Sequence, residues 1–163
     1  MENIIIETKV EIYKFEELTL QEQDLLNKAK EQVFKSYAPY SKFHVGAAIL
    51  LANGEIVTGS NQENSAYPSG LCAERTAIFY ANAQYPDVPV ETLAIAAYTN
   101  GNFLAEPVTP CGACRQVLLE TETRFKKPFA ILLYGTQNIY KIYSAAQLLP
   151  LCFGKESLEL VEN

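Results

Sequence analysis

Leu93-Ala94-Ile95-Ala96-Ala97-Tyr98 is short, apolar and bounded by turn-forming residues. A strand with one wet face alternates apolar and polar side chains, so a continuous run of this kind suits a strand buried on both faces. Such a strand needs other strands beside it and a covering layer above and below. Upstream, Phe43 to Leu51 and Glu55 to Thr58 read as two strands joined by the turn Ala52-Asn53-Gly54. Downstream, Phe129 to Tyr134 and Asn138 to Tyr143 supply two more. Helical patterns separate them. Thr19 is an N-cap with Glu22 at capping-box spacing, and Leu25, Leu26, Ala29, Val33 and Phe34 follow at helical intervals, which predicts a helix over about 20–36. Tyr37-Ala38-Pro39-Tyr40-Ser41 stops it. Ser69 caps a second expected helix from Leu71 to about Ala83. Thr109 followed by Pro110 opens a third through about Thr123, and a short one covers Ser144 to Leu149. Strands alternating with helices predict an α/β fold, one mixed sheet with helices on both faces. Residues 3–15 carry Ile4, Ile6, Val10 and Ile12 in an imperfect period-two pattern and are expected to be extended.

The chain has 163 residues, 48% of them hydrophobic, which suits one domain with a single core. Thirteen basic against nineteen acidic residues give a net charge of -6. No Lys/Arg cluster offers the footprint that phosphate-backbone binding needs, so a nucleic-acid polymer is not an expected partner. The first residues lack a basic region followed by a long apolar stretch, and no apolar run reaches the ~18 residues of a membrane span. The expectation is a cytoplasmic protein without a membrane partner. Four cysteines in such a chain read better as metal or catalytic groups than as disulfides, because cytosolic thiols stay reduced.

Cys111-Gly112-Ala113-Cys114 is a C-x-x-C pair, able to present two thiolates to one tetrahedral ion. Alone it fits a redox couple, half of a structural zinc site or chance equally well. Cys72-Ala73-Glu74 lies upstream, so the whole reads C-x-E, a long gap, then P-C-x-x-C, the arrangement of zinc-dependent deaminases. Both cysteine groups fall at predicted helix starts, where unpaired N–H groups and the positive end of the dipole stabilise thiolates. Three thiolates, Cys72, Cys111 and Cys114, leave a fourth position for water, the mark of a catalytic site. Cys152 and His44 are the alternative fourth ligands, and a hydrogen-bonded or surface role is favoured for His44. Three thiolates on Zn(II) carry net negative charge, which opposes loss of a proton from that water, and Arg75 is the cation placed to offset it.

Tyr40-Ser41-Lys42-Phe43-His44-Val45-Gly46-Ala47-Ala48, Asn61-Gln62-Glu63-Asn64-Ser65-Ala66-Tyr67-Pro68, Cys72-Ala73-Glu74-Arg75-Thr76-Ala77 and Pro110-Cys111-Gly112-Ala113-Cys114-Arg115-Gln116-Val117 closely resemble the cytidine deaminase family. The resemblance covers 20–155, leaving 1–19 as an N-terminal extension and 156–163 as a tail. It implies a five-stranded α-β-α sandwich, one Zn2+ per subunit, and a homotetramer whose active sites are completed by neighbouring subunits. It implies Glu74 as the catalytic proton carrier, Asn61 and Glu63 on the ribose hydroxyls, and Phe43, Tyr67 and Ala73 around the nucleoside. Phe153 resembles the phenylalanine that a neighbouring subunit lends to the base site. The implied reaction is hydrolytic deamination of cytidine and 2'-deoxycytidine, a small-molecule salvage step. Related deaminases, including the blasticidin S type, and a structural zinc module or a thiol-redox protein are the competing readings; the structural module predicts a closed fourth position and no role for Glu74, the redox protein a disulfide between Cys111 and Cys114 with no metal.

Overall fold

The computed structural model describes residues 1–159. Its elements run β1 (Glu11–Tyr13), α1 (Leu20–Gln32), β2 (His44–Leu51), β3 (Ile56–Ser60), α2 (Ala73–Gln84), β4 (Val90–Thr99), β5 (Asn102–Phe103), α3 (Gly112–Phe125), β6 (Ala130–Tyr134), β7 (Ile139–Ile142) and α4 (Lys155–Glu159). The last part of the expected tail, 160–163, lies outside the described residues. The strands form one sheet in the order β1-β7-β6-β4-β2-β3, with β5 folding back onto the end of β4. Pairing is antiparallel except between β4 and β6, which α3 connects as a parallel crossover.

The apolar run that predicted burial on both faces is β4, and its two sides separate cleanly. Leu93 and Ile95 join Ala47, Ile49 and Leu51 of β2 under Ala73, Ala77 and Ile78 of α2 and Leu118 of α3. Ala94 and Ala96 face the other way with Ala48 and Leu50, under Leu25, Leu26, Ala29 and Val33. The result is the expected three-layer sandwich, with α1 on one face and α2 and α3 on the other. Thr19 caps α1 as its sequence predicts: its hydroxyl accepts from Glu22 N and the Glu22 carboxylate accepts from Thr19 N, a capping box.

The structure departs from the sequence pattern at four places. The sheet has seven strands where five were expected, because two- and three-residue strands, β5 and β1, pair onto the ends of β4 and β7. The expected extended segment at 3–15 enters the sheet only at Glu11–Tyr13; Ile4 and Ile5 remain 90% and 83% exposed, with nothing to pack against. Helix α1 tightens into a 3-10 turn at Val33–Lys35 instead of continuing to 36, and the expected helix at Ser144 to Leu149 is likewise a 3-10 turn, Ala145–Leu148. The N-caps expected at Ser69 and Thr109 fall instead on Cys72 and Cys111. Ser69 ends a 3-10 turn at Tyr67–Ser69, and reciprocal bonds between Gln62 and Leu71 (both 2.9 Å) hold the next residues extended. The Thr109 hydroxyl is occupied by Arg115.

Gly59 sets how closely α2 approaches the sheet. A Cβ there would lie 2.6 Å from Ala77 N and 2.8 Å from Ala73 O, both backbone atoms that cannot swing aside. Gly59→Ala should therefore push the first turns of α2 outward, lowering stability by about 1–3 kcal/mol and lowering activity with it. Thermal unfolding and turnover of the variant check this, and a protein unchanged in both would contradict the packing described.

Candidate functional site: a three-thiol centre beside an open cleft

Helices α2 and α3 point their N-termini at one spot. Cys72 and Cys111 are their N-cap residues, both in extended backbone conformation and neither making a side-chain cap bond. Because no cap side chain satisfies the first N–H groups, they and both dipoles favour negative charge at that spot. Cys114, one turn into α3, reaches the same place from a fully buried position. The Cys72 and Cys111 sulfurs lie 3.9 Å apart and those of Cys111 and Cys114 3.6 Å apart, and all three lie within 4.8 Å of one another. Tetrahedral zinc with bonds of about 2.3 Å holds its sulfurs about 3.8 Å apart, so the donor set fits that ion. Cys152 is exposed and not part of the cluster. His44 is also outside it: its Nδ1 bonds the Ser36 hydroxyl at 2.6 Å and its ring meets Tyr98 edge-on.

The cluster is electrostatically uneven. A hydrogen bond from Cys114, followed by the Arg75 guanidinium, pulls the Cys72 thiol down to about 5. Cys114 is pushed up by that same bond to Cys72, by burial and by the proximity of the Glu74 carboxyl. Arg75 Nη2 donates to Cys72 Sγ at 3.6 Å, which puts the expected cation against the thiolates. Its Nε is buried without a partner. Glu74 is only 5% exposed. Burial holds its carboxyl above the usual range, and the Cys72 charge pushes the same way. A buried carboxyl whose pKa is raised beside the thiol cluster is suited to give and take protons.

Beside Cys72 and Arg75 opens a cleft of about 470 Å³, whose walls include Tyr40, Ser41, Asn61, Glu63, Tyr67 and Leu71. Residues 61–63 are held in place by Tyr37 N to Asn61 O (3.0 Å) and Glu63 N to Tyr37 O (2.8 Å), on one side, and by the Gln62–Leu71 pair on the other. Glu63 faces the cleft as an ionised carboxylate. The Ser41 hydroxyl donates to one of its oxygens and the Tyr40 and Ser41 amides donate to the other, holding its carboxyl below the usual range. The Asn61 amide clips the start of β2, accepting from Val45 N at 2.8 Å and donating to Phe43 O at 2.9 Å. One N–H and one lone pair of that amide remain for a ligand.

The structure thus gathers Asn61, Glu63, Tyr67, Cys72 and Arg75 around one cleft. Phe43, Ala73 and Phe153, also expected at the substrate, are not among its lining residues. Ala73 is fully buried at the head of α2, Phe43 is half-buried at the start of β2, and Phe153 is 62% exposed. Ser41 and Tyr40 were not singled out in the sequence. They open the first stretch that carries the family resemblance, but nothing local gives their role, since Ser41 bonds a carboxylate 22 residues away.

Residues 19–127 match the family model described as the cytidine and deoxycytidylate deaminase zinc-binding region. The chain belongs to that family. It is 44% identical over 131 residues, 80% of its length and 88% of the relative's, to a protein of Sporosarcina psychrophila named cytidine deaminase. A protein of the same name from Halalkalibacterium halodurans is 38% identical over 83% of this chain and 96% of its own. Among solved structures, the cytidine deaminase of Burkholderia pseudomallei superposes with a TM-score of 0.69 at 38% identity, covering 83% of this chain and all of that one.

Proposed function

We propose that this protein is a zinc-dependent hydrolase that deaminates cytidine and 2'-deoxycytidine to the uridine nucleosides, releasing ammonia. The observation that carries the reading is the convergence of three cysteine sulfurs, spaced for one tetrahedral ion, at two helix N-termini beside the buried carboxyl of Glu74. Relatives named cytidine deaminase across four-fifths of the chain support the substrate.

Cys72, Cys111 and Cys114 would hold the zinc. When bound, zinc would supply Lewis acidity, making the attacking water acidic enough to lose a proton near neutral pH. The protein's residues do the rest. Glu74 takes one proton from the attacking water and delivers it to N3 of the pyrimidine as the oxygen adds at C4, then carries the second proton, from the new C4 hydroxyl, to the amino group, which leaves as ammonia while the C4 carbonyl forms. Arg75 offsets the thiolate charge through Cys72. Glu63 accepts from the sugar hydroxyls, Asn61 offers its remaining N–H, and Tyr67 borders the cleft. Phe43 and Ala73 complete the base side as the family resemblance implies.

The same reading includes a homotetramer in which Phe153 of one subunit reaches the base site of its neighbour. The exposure of Phe153 supports that assignment, since a large aromatic left 62% exposed in its own chain is available to another. A reduced thiol cluster is consistent with a cytoplasmic location and a role in pyrimidine salvage. Among the described residues no helix is long and apolar enough to cross a membrane.

The test is ammonia release from cytidine, 2'-deoxycytidine, CMP, cytosine and blasticidin S, each offered separately to zinc-loaded protein. Turnover of the two nucleosides supports the proposal; turnover of blasticidin S in their place would move the substrate to that class. Glu63→Ala should raise KM for cytidine about 10- to 100-fold, the loss of hydrogen bonds to a charged acceptor, with a smaller effect on kcat. An unchanged KM would remove Glu63 from the sugar site.

A further inference from the structure

Arg115 lies one residue beyond the thiol cluster, and its guanidinium ties the loop that delivers Cys111 to a distant turn. Its Nε donates to Pro110 O at 2.8 Å, its Nη2 to Thr109 Oγ1 at 3.1 Å and its Nη1 to Leu148 O at 2.9 Å. The backbone N–H of Arg115 also donates to Cys111 O at 2.9 Å. Pro107 and Pro110 have no N–H to offer, so neither can anchor this stretch as a backbone donor, and Arg115 supplies donors to it instead.

The third acceptor, Leu148, gives that clamp a fixed base. Leu148 is the last residue of the 3-10 turn Ala145–Leu148, and α3 grips this turn at both ends. Glu122, two turns beyond Arg115 on α3, accepts from Ala145 N at 2.7 Å, Ser144 Oγ at 2.7 Å and Phe129 N at 3.1 Å. A carboxylate therefore meets the N–H end of the turn and a guanidinium its carbonyl end, the arrangement its local dipoles favour. Both acceptors on the ligand side, Thr109 and Pro110, are thereby tied to a turn braced against the same helix that carries Cys111 and Cys114.

From this geometry we infer that Arg115 is a positioning residue for the metal centre: it locks Thr109 and Pro110 so that the Cys111 sulfur is held at its place in the cluster before metal arrives. The inference rests on the zinc reading proposed above and extends it to a residue outside the ligand set. Lysine cannot replace it, because one ammonium on a flexible stem does not present three donors in a fixed fork.

Zinc release from loaded full-length protein into excess chromophoric chelator, followed with thermal unfolding of each variant, tests the inference. Arg115→Lys should release zinc about 10- to 100-fold faster than wild type, the usual cost of losing a residue that orients a ligand. Thr109→Val, which removes one acceptor and leaves the helix untouched, should speed release by a smaller factor. Glu122→Gln is the structural control: it frees the far end of the same turn and should lower the unfolding temperature while leaving zinc release near the wild-type rate. Wild-type release in both Arg115→Lys and Thr109→Val would overturn the inference while the zinc reading stood, as would acceleration by Glu122→Gln equal to that by Arg115→Lys. Wild-type protein that takes up no zinc would overturn the zinc reading itself and the inference with it.

Discussion

Glu74→Gln should cut turnover of cytidine by a factor of about 10² to 10⁴, the contribution of a positioned general acid–base group, while zinc content stays at one ion per chain. The two results belong together. Glutamine keeps the size of the side chain in a site where only 5% of Glu74 is exposed, so packing around the head of α2 survives. It cannot release or accept the proton that the carboxyl exchanges. Glu74 contributes no atom to the three-sulfur cluster, so the metal has no reason to leave. Turnover and elemental analysis on one preparation check both halves, and activity near wild type would remove Glu74 from proton transfer. Loss of zinc in this variant would instead make Glu74 part of the metal site.

Cys111→Ala should behave in the opposite way, losing zinc and activity together and lowering stability. One thiolate fewer leaves two sulfurs, Cys72 and the buried Cys114, too few to hold the ion. A ligand present at a thousandfold above its Kd stabilises the native state by about 4 kcal/mol, and losing that corresponds to about 10 °C in a chain of this size. Elemental analysis and thermal unfolding with and without added zinc check the prediction. Stoichiometric zinc in Cys111→Ala would show that the ligand set is wrong, and an unfolding temperature insensitive to zinc in the wild-type protein would contradict the link between metal and fold.

Much of this architecture is legible in the sequence because it is written locally. The run from Leu93 to Tyr98 announces a strand covered on both faces, and the two apolar clusters on either side of β4 are that reading made physical. The capping box at Thr19 is likewise complete within four residues. What the sequence does not disclose depends on partners far away. β5, two residues long, carries no periodicity of its own and exists because β4 offers it an edge, and the pattern at 3–15 does not disclose that only Glu11–Tyr13 finds a partner, in β7. The helix starts were misplaced for a related reason. Serine and threonine are the usual caps, so Ser69 and Thr109 attract the assignment, whereas the chain spends both N-cap positions on cysteines that collect charge at the metal centre.

The candidate site divides along the same line. Cys72, Glu74, Cys111 and Cys114 are visible as a motif because two short spacings carry the chemistry. The parts that orient them and their neighbours are not. Ser41 holds Glu63 from 22 residues away, and Arg115 joins Thr109 to a carbonyl 33 residues downstream. Neither spacing repeats any local rule, so only the folded chain reveals them. Phe43, Ala73 and Phe153 mark the remaining gap: expected at the substrate, they are not among the walls of the cleft formed by one chain.

The most direct test of zinc-dependent cytidine deamination is the rate of uridine formation from cytidine by one preparation in three states: as loaded with zinc, after exhaustive chelation, and after zinc is restored. The account predicts turnover with one zinc per chain, its loss on chelation and its return with the metal. Full-rate uridine formation by zinc-free protein, or none by protein holding one zinc per chain, would contradict it.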